Sequence, residues 1–76
     1  MNASYLSELF KEVTGMTFTE FITKHRLQKA KELLKDSNKK IYEISDAVGY
    51  RNVKYFSQLF RKTVGIQPLE YRELLR

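Results

Sequence analysis

The chain of 76 residues has no cysteine and contains only one histidine, one proline and three glycines. Without cysteine it can form neither a disulfide nor a thiolate metal site, which suits a reducing compartment. It also lacks an apolar run long enough to cross a bilayer, and polar residues crowd its first positions where a signal peptide would be apolar. We therefore expect a cytoplasmic protein without membrane contact.

The sequence is equally poor in the patterns that mark enzymes. Its single histidine, His25, lies in a stretch rich in Lys and Arg without a triad-like arrangement, and there is no glycine-rich phosphate loop or cluster of metal ligands. His25 is better explained as a packing residue on a helix. Glu43 and Asp46 share a helix face, but their spacing is ordinary for a solvated helix. We expect no catalytic residues, no metal site and no cofactor.

What the chain does contain is positive charge and helical periodicity. The formal net charge is +5 and the pI is near 9.6, which favours an anionic partner. For a small domain, nucleic acid ranks above an acidic membrane as that partner. A chain of this length supports one domain with a modest core, and helices packed through Leu, Ile, Phe and Tyr are the expected solution. The predicted fold class is all-α.

The segment from Ile41 to Gly65 has the pattern of a helix, a tight turn and a second helix. Apolar residues recur at helical spacing on both sides of Gly49, which can adopt the left-handed conformation that ends the first helix. Asn52 is the expected N-cap of the second helix. Ser45 is small and lies where the two helix axes should cross closely.

The second helix of this pair has an apolar side and a polar side. The apolar side contains Phe56, Leu59, Phe60 and Val64, and the opposite side contains Lys54, Ser57, Gln58 and Arg61. The same spacing occurs on any solvated helix. The residue types favour DNA, because each polar side chain can reach base edges or phosphates and no carboxylate interrupts them.

The same pattern occurs a first time 50 positions earlier, so the chain contains an internal repeat. Residues 4–26 align without gaps on residues 54–76. The identical pairs are Tyr5/Tyr55, Ser7/Ser57, Leu9/Leu59, Phe10/Phe60, Gly15/Gly65, Glu20/Glu70 and Arg26/Arg76. The outer side of the first predicted helix then contains Ser4, Ser7, Glu8 and Lys11. We expect this side of the first helix to contact DNA, as the polar side of the later helix does.

A long helix is predicted between the two copies. Thr17 and Glu20 have the form of a capping box at its start, and residues 36–38 break the helix. Helices are expected near 3–14, 18–36, 41–48, 53–64 and 68–75, the last beginning with Pro68. The expected core contains Leu34, Ile44, Val48, Phe56, Leu59 and Phe60. Leu69, Tyr71, Leu74 and Leu75 are expected to fold back on the second unit.

These features resemble the C-terminal DNA-binding module of AraC/XylS-type transcriptional regulators. The segments that carry the resemblance are RLQKAKELL, IYEISDAVGY, YFSQLFRK, VGIQP and EYR. The resemblance implies two helix-turn-helix units joined by a long helix, with both recognition helices in the major groove of double-stranded DNA. It also implies RNA polymerase as a partner of the complete bacterial regulator. The corresponding ranges are 1–16 for a remnant of the first unit, 17–36 for the joining helix, 41–65 for the second unit and 66–76 for the closing helix.

The resemblance also assigns candidate DNA-binding residues. Base-facing positions fall on Ser4, Ser7, Glu8, Val53, Lys54, Ser57 and Gln58, with Asn52 beside them, and phosphate-facing positions fall on Lys11, Arg61 and Lys62. Glu8 departs from the family, because many members have Arg there. Its carboxylate can accept a hydrogen bond from a cytosine amino group, or the first helix can avoid the DNA.

The start of the chain departs from the family as well. Residues 41–49 precede the second recognition helix but no counterpart precedes Ser4, so we expect a module that begins inside its first unit. Leu6, Leu9 and Phe10 should then lack cover. We expect the first helix to fray in dilute solution, and at high concentration to associate with a second copy through Leu6, Phe10 and Val13. The alternative to DNA binding is a helical protein-interaction module whose basic charge is incidental.

Overall fold

The structure, a computed structural model, describes residues 3–75 of the chain. These residues form five α-helices and no strand. The helices are α1 Ala3–Thr14, α2 Phe18–Asp36, α3 Ile41–Ala47, α4 Val53–Val64 and α5 Pro68–Leu74. The all-α fold class is confirmed, and every helix begins at its predicted residue. α3 and α5 each end one residue early, because Val48 and Leu75 are C-caps whose N–H groups bond to carbonyls of the preceding turn.

The internal repeat is present in the backbone as well as in the sequence. Gly15 and Gly65 follow α1 and α4 with φ of 78° and 104°, a conformation that glycine adopts without steric cost. Each donates its N–H to a carbonyl in the last turn of its helix, Gly15 to Lys11 at 2.7 Å and Gly65 to Arg61 at 2.8 Å. α1 and α2 are therefore connected as α4 and α5 are. The last repeat position, Arg76, lies outside the described residues.

The core lies where α2, α3, α4 and α5 meet. Its buried apolar side chains are Leu27, Ala30, Leu34, Ile44, Val48, Phe56 and Phe60. The predicted core is confirmed except for Leu59, which is only half-buried because it borders an open groove beside Thr19 and Thr23 of α2. Leu27, which the prediction omitted, lies at the centre of the long helix. α2 has 19 residues and is about 28 Å long, so it separates α1 from the core helices.

The closing helix packs differently from the prediction. Leu69, Leu74 and Leu75 are exposed, and the prediction that they fold back on the second unit is wrong. Contact instead comes from positions spaced i, i+3 and i+4 on one side of α5, namely Pro68, Tyr71 and Arg72. This spacing turns the leucines of the helix toward solvent, and Leu75 follows its end.

Arg72 joins α5 to the end of the long helix. Its side chain is buried, and Nε donates to the carbonyl oxygen of Leu34 at 3.0 Å while a terminal nitrogen donates to that of Ser37 at 3.4 Å. The last carbonyls of a helix have no partner within the helix. Arg72 supplies donors for this end of α2 and thereby fixes α5 against it.

Candidate nucleic-acid interface

The turn between α3 and α4 holds the second helix of the pair in a defined position. The Ser45 hydroxyl donates to the Tyr50 carbonyl at 2.5 Å, and the Tyr50 N–H donates to the Ser45 carbonyl at 2.8 Å. Asn52 caps α4 as predicted, because its side-chain oxygen accepts the Tyr55 N–H at 3.0 Å. Gly49 has φ of 100°, as the predicted left-handed turn requires. These bonds orient α4 relative to α3.

Arg26 of the long helix packs against this turn. Its guanidinium lies 5.1 Å from the centre of the Tyr50 ring, a cation–π distance. A Cβ added to Gly49 would come within 3.0 Å of the same guanidinium. Glycine is therefore favoured at position 49 by its φ, whereas an added Cβ would only require the flexible end of the Arg26 side chain to move. This contact ties α2 directly to the helix-turn-helix unit.

The polar side of α4 is open to solvent. Lys54, Gln58, Arg61 and Lys62 are exposed, Val53 is exposed at the start of the helix, and Ser57 is half-buried. α4 contains three cationic side chains and no acidic one. Its other side is anchored in the core through the fully buried rings of Phe56 and Phe60. The structure thus presents a rigid helix with a cationic, hydrogen-bonding face.

The outer side of α1 is also exposed, but its charge differs. Ser4, Ser7, Glu8 and Lys11 are all open to solvent. Ser7, Glu8 and Lys11 line one wall of a shallow groove whose other wall is the start of α2, residues 17–19. α1 contains two glutamates and one lysine. It therefore offers acceptors where α4 offers cationic donors.

The apolar side of α1 is only partly covered. Leu6, Leu9 and Val13 are exposed, as predicted for a helix without a covering partner. Phe10 differs from the prediction because its ring stacks on Phe18, with centroids 4.2 Å apart, and is half-buried. The start of α2 therefore covers one side of α1 and leaves the rest in solvent.

The structure brings the predicted site residues together as two separate sets. Asn52, Val53, Lys54, Ser57, Gln58, Arg61 and Lys62 lie on or next to α4, and Ser4, Ser7, Glu8 and Lys11 lie on α1. Sequence reasoning missed three residues that position these sets. Arg26 fixes the turn, Arg72 fixes α5, and the Glu43 carboxylate caps α3 by accepting the Lys40 N–H at 2.9 Å. Only Glu43 had a local signal, since it lies three residues after the N-cap.

Two further properties of the described residues bear on function. No three His, Asp or Glu side chains among residues 3–75 are grouped so that they could hold a metal ion. None of the helices α1 to α5 combines the length and apolar character needed to span a membrane. His25 is exposed and its ring packs against Phe21 at 4.5 Å, which agrees with the predicted packing role.

Comparison with known proteins places this geometry among transcription regulators. A family model described as a helix-turn-helix domain matches residues 1–74. The HTH-type transcriptional activator Btr of Bacillus subtilis (strain 168) is 48% identical over 59 residues, which are 78% of this chain and 11% of Btr. The chain spans between 10% and 25% of the length of curated relatives of this kind.

Solved structures share the fold along almost the whole chain. The C-terminal domain of AraT, a response regulator from Geobacillus stearothermophilus, superposes with a TM-score of 0.95 at 39% identity, over 97% of this chain and 61% of that one. The DNA-binding domain of AdpA, solved in complex with a target DNA, gives a TM-score of 0.94 at 25% identity, over 100% of this chain and 68% of that one. This chain is thus similar in fold to a domain of a response regulator and to a DNA-binding domain over nearly its whole length.

Proposed function

The chain belongs to the family of AraC-type helix-turn-helix domains, and we propose that it binds double-stranded DNA sequence-specifically as the DNA-binding module of a bacterial transcription regulator. The observation that supports this most strongly is the face of α4. It is cationic, free of carboxylates and held rigidly by the Asn52 cap and the buried Phe56 and Phe60. The AdpA domain, similar in fold, was solved on its target DNA.

In this proposal α4 and α1 each enter the major groove, as recognition helices of the second and first units. Base edges are contacted by Val53, Lys54, Ser57 and Gln58 of α4 and by Ser4, Ser7 and Glu8 of α1. Phosphates are contacted by Lys11, Arg61 and Lys62, and Asn52 lies at the edge of the contact. Residues 1–16, 17–36, 41–65 and 66–76 would serve as first unit, joining helix, second unit and closing helix. A DNA-binding domain of this family is not typically an enzyme, and catalysis is no part of the proposal.

The test is an electrophoretic mobility shift at two salt concentrations, with a duplex selected from a random library and a random duplex as probes. Gln58→Ala should narrow the affinity gap between the two duplexes, since a base contact is worth about 1 to 3 kcal/mol of discrimination. Arg61→Ala should weaken both duplexes alike and reduce the salt slope by about one.

Lys29→Ala is the matched control for loss of a cation. Lys29 lies on α2, outside the predicted recognition helices, and pairs with the exposed Glu32 of the same helix at 3.6 Å. We expect it to leave both affinities and the salt slope nearly unchanged. Absence of binding to any duplex at low salt would contradict the proposal and favour a protein-interaction module.

The proposal extends to partners of the complete regulator. We propose that it acts in the cytoplasm together with RNA polymerase, because activation of transcription, which the name of Btr states for that relative, requires the polymerase. We also propose that this chain associates with itself through the exposed Leu6 and Val13 of α1, together with Phe10, which the start of α2 covers only in part. Sedimentation equilibrium should show concentration-dependent association that Leu6→Ser weakens and Leu69→Ser, at a leucine of α5 with similar exposure, does not.

A further inference from the structure

We infer that Glu8 is a specificity-determining residue that selects cytosine in the part of the site contacted by α1, so that the two units read different bases. This inference rests on the proposed function. Its basis is the position of Glu8, which the repeat places where α4 carries Gln58.

The correspondence between Glu8 and Gln58 is structural as well as sequential. Phe10 meets Phe21 edge-on, with centroids 5.3 Å apart and an interplanar angle of 80°. The repeat counterparts Phe60 and Tyr71 meet at 5.6 Å and 74°. α1 and α4 thus make corresponding edge-on ring contacts with the helix that follows each of them, and corresponding residues of the two helices face that helix. Glu8 therefore projects from α1 as Gln58 projects from α4.

The chemistry of the two side chains differs in one respect that decides which base each prefers. A glutamine amide both donates and accepts, and it pairs with N6 and N7 of adenine. A carboxylate only accepts, so it matches the amino group of cytosine and opposes the acceptor edges of guanine and thymine. Within the described residues Glu8 is exposed and forms no ion pair, even with Lys11 one turn away. Its carboxylate is therefore available to a base.

A plain electrostatic role is the competing explanation, because any carboxylate on α1 would repel the phosphates of DNA. Glu12 separates the two explanations. It is the second exposed glutamate of α1, and its repeat counterpart is Lys62, which the proposal places against phosphate. Removing the charge of Glu12 should raise affinity for every duplex alike. Removing that of Glu8 should instead change which base is preferred.

The experiment is selection of binding sites from a random duplex library with the unaltered chain and with three variants, Glu8→Gln, Glu12→Gln and Gln58→Glu. With Glu8→Gln we expect one position of the selected site to change from cytosine to adenine, by roughly 5- to 150-fold in relative affinity, the range of one good base contact. Gln58→Glu should produce the reverse change, adenine to cytosine, at another position about one helical turn away. Glu12→Gln should change no preferred base.

The inference is overturned if Glu8→Gln strengthens all duplexes equally, as Glu12→Gln should, or leaves the selected site unchanged while Gln58→Glu alters it. In both cases the proposed function stands. If neither the unaltered chain nor any of the variants selects a preferred sequence, the inference and the proposed function fail together. Glu8 is exposed and glutamine has the same shape, so circular dichroism should show equal helix content in all four proteins.

Discussion

The two halves of the internal repeat share a pattern and differ in what covers it. Phe56 and Phe60 of α4 are fully buried, because they lie in one core cluster with side chains of α2 and α3 and because Tyr71 of α5 packs on Phe60. Their counterparts on α1 are Leu6, which is 47% exposed, and Phe10, which only the start of α2 covers. The comparison teaches that apolar periodicity defines which side of a helix can be buried, whereas burial itself depends on the neighbouring helices.

The two halves also differ in charge. α4 contributes three cations and no anion, and α1 contributes two anions and one cation. Contacts with phosphate gain affinity for all sequences, whereas a carboxylate over a base edge favours one base and penalises others. The second unit is therefore expected to provide most of the affinity, and the first unit mainly selectivity.

The largest difference in stability is expected when the same substitution, Phe→Ala, is made separately at equivalent positions of the two halves. Phe60→Ala removes a fully buried ring and should lower the free energy of unfolding by about 3 to 5 kcal/mol. Phe10→Ala removes the identical, half-buried side chain of α1 and should cost clearly less, about 1 to 2 kcal/mol. Urea unfolding followed by circular dichroism measures both. Equal losses would show that the two helices are equally integrated into the fold.

The next largest loss of stability is expected at Arg72, in contrast to its repeat counterpart Ile22. Arg72→Met leaves the carbonyls of Leu34 and Ser37 without their donors and should cost about 1 to 3 kcal/mol. Ile22→Met changes an exposed side chain and should alter stability by less than about 0.5 kcal/mol. The midpoints of thermal unfolding provide the measurement. A harmless Arg72→Met would mean that this contact does not hold α5 against α2.

A smaller effect is expected at the N-caps. Asn52→Ala and Thr17→Ala each remove a side-chain oxygen that accepts a backbone N–H, at 3.0 Å and 3.1 Å, and each should cost about 1 kcal/mol of helix stability. For Asn52 this loss should lower global stability and also DNA affinity, because α4 starts there. For Thr17 it should show mainly as loss of helicity in the first half. Chemical-shift changes confined to the first half for Asn52→Ala, or to the second half for Thr17→Ala, would contradict this assignment.

The smallest effect is expected at Leu74 of the closing helix. It is 75% exposed, so Leu74→Ala should change the free energy of unfolding by no more than about 0.5 kcal/mol. Tyr71→Ala is the contrasting variant on the same helix, because the Tyr71 ring packs on Phe60. A large loss of stability with Leu74→Ala would instead support the packing role that the sequence pattern predicted for this residue.

Local signals in the sequence predicted most of the fold. Asn52, Thr17 and Pro68 mark helix starts through chemistry that acts within a few residues, and the structure confirms each. The contact of Arg72 with Leu34 and Ser37 joins positions 35 to 38 residues apart, and no periodicity within either helix encodes it. An arginine in a charged helix has the pattern of a solvated residue, so its burial could not be predicted.

The candidate site was predictable to the same extent. The polar stripe of α4 and its exposure follow from helical spacing and the opposing Phe56 and Phe60, and the structure agrees. The contact of Arg26 with Gly49 and Tyr50 was not predictable, because it depends on how α2 crosses the turn. The DNA contacts of individual residues remain predictions, since they depend on a partner outside this chain.

The most direct test of the difference between the two halves is amide hydrogen exchange of this chain at two protein concentrations. We expect strong protection of α4 at both concentrations, because its helix is anchored in the core. Residues 5–13 of α1 should exchange rapidly in dilute solution and gain protection as concentration rises and α1 becomes covered. Strong protection of residues 5–13 that does not depend on concentration would contradict this account, because it would show that the chain stabilises its first helix unaided.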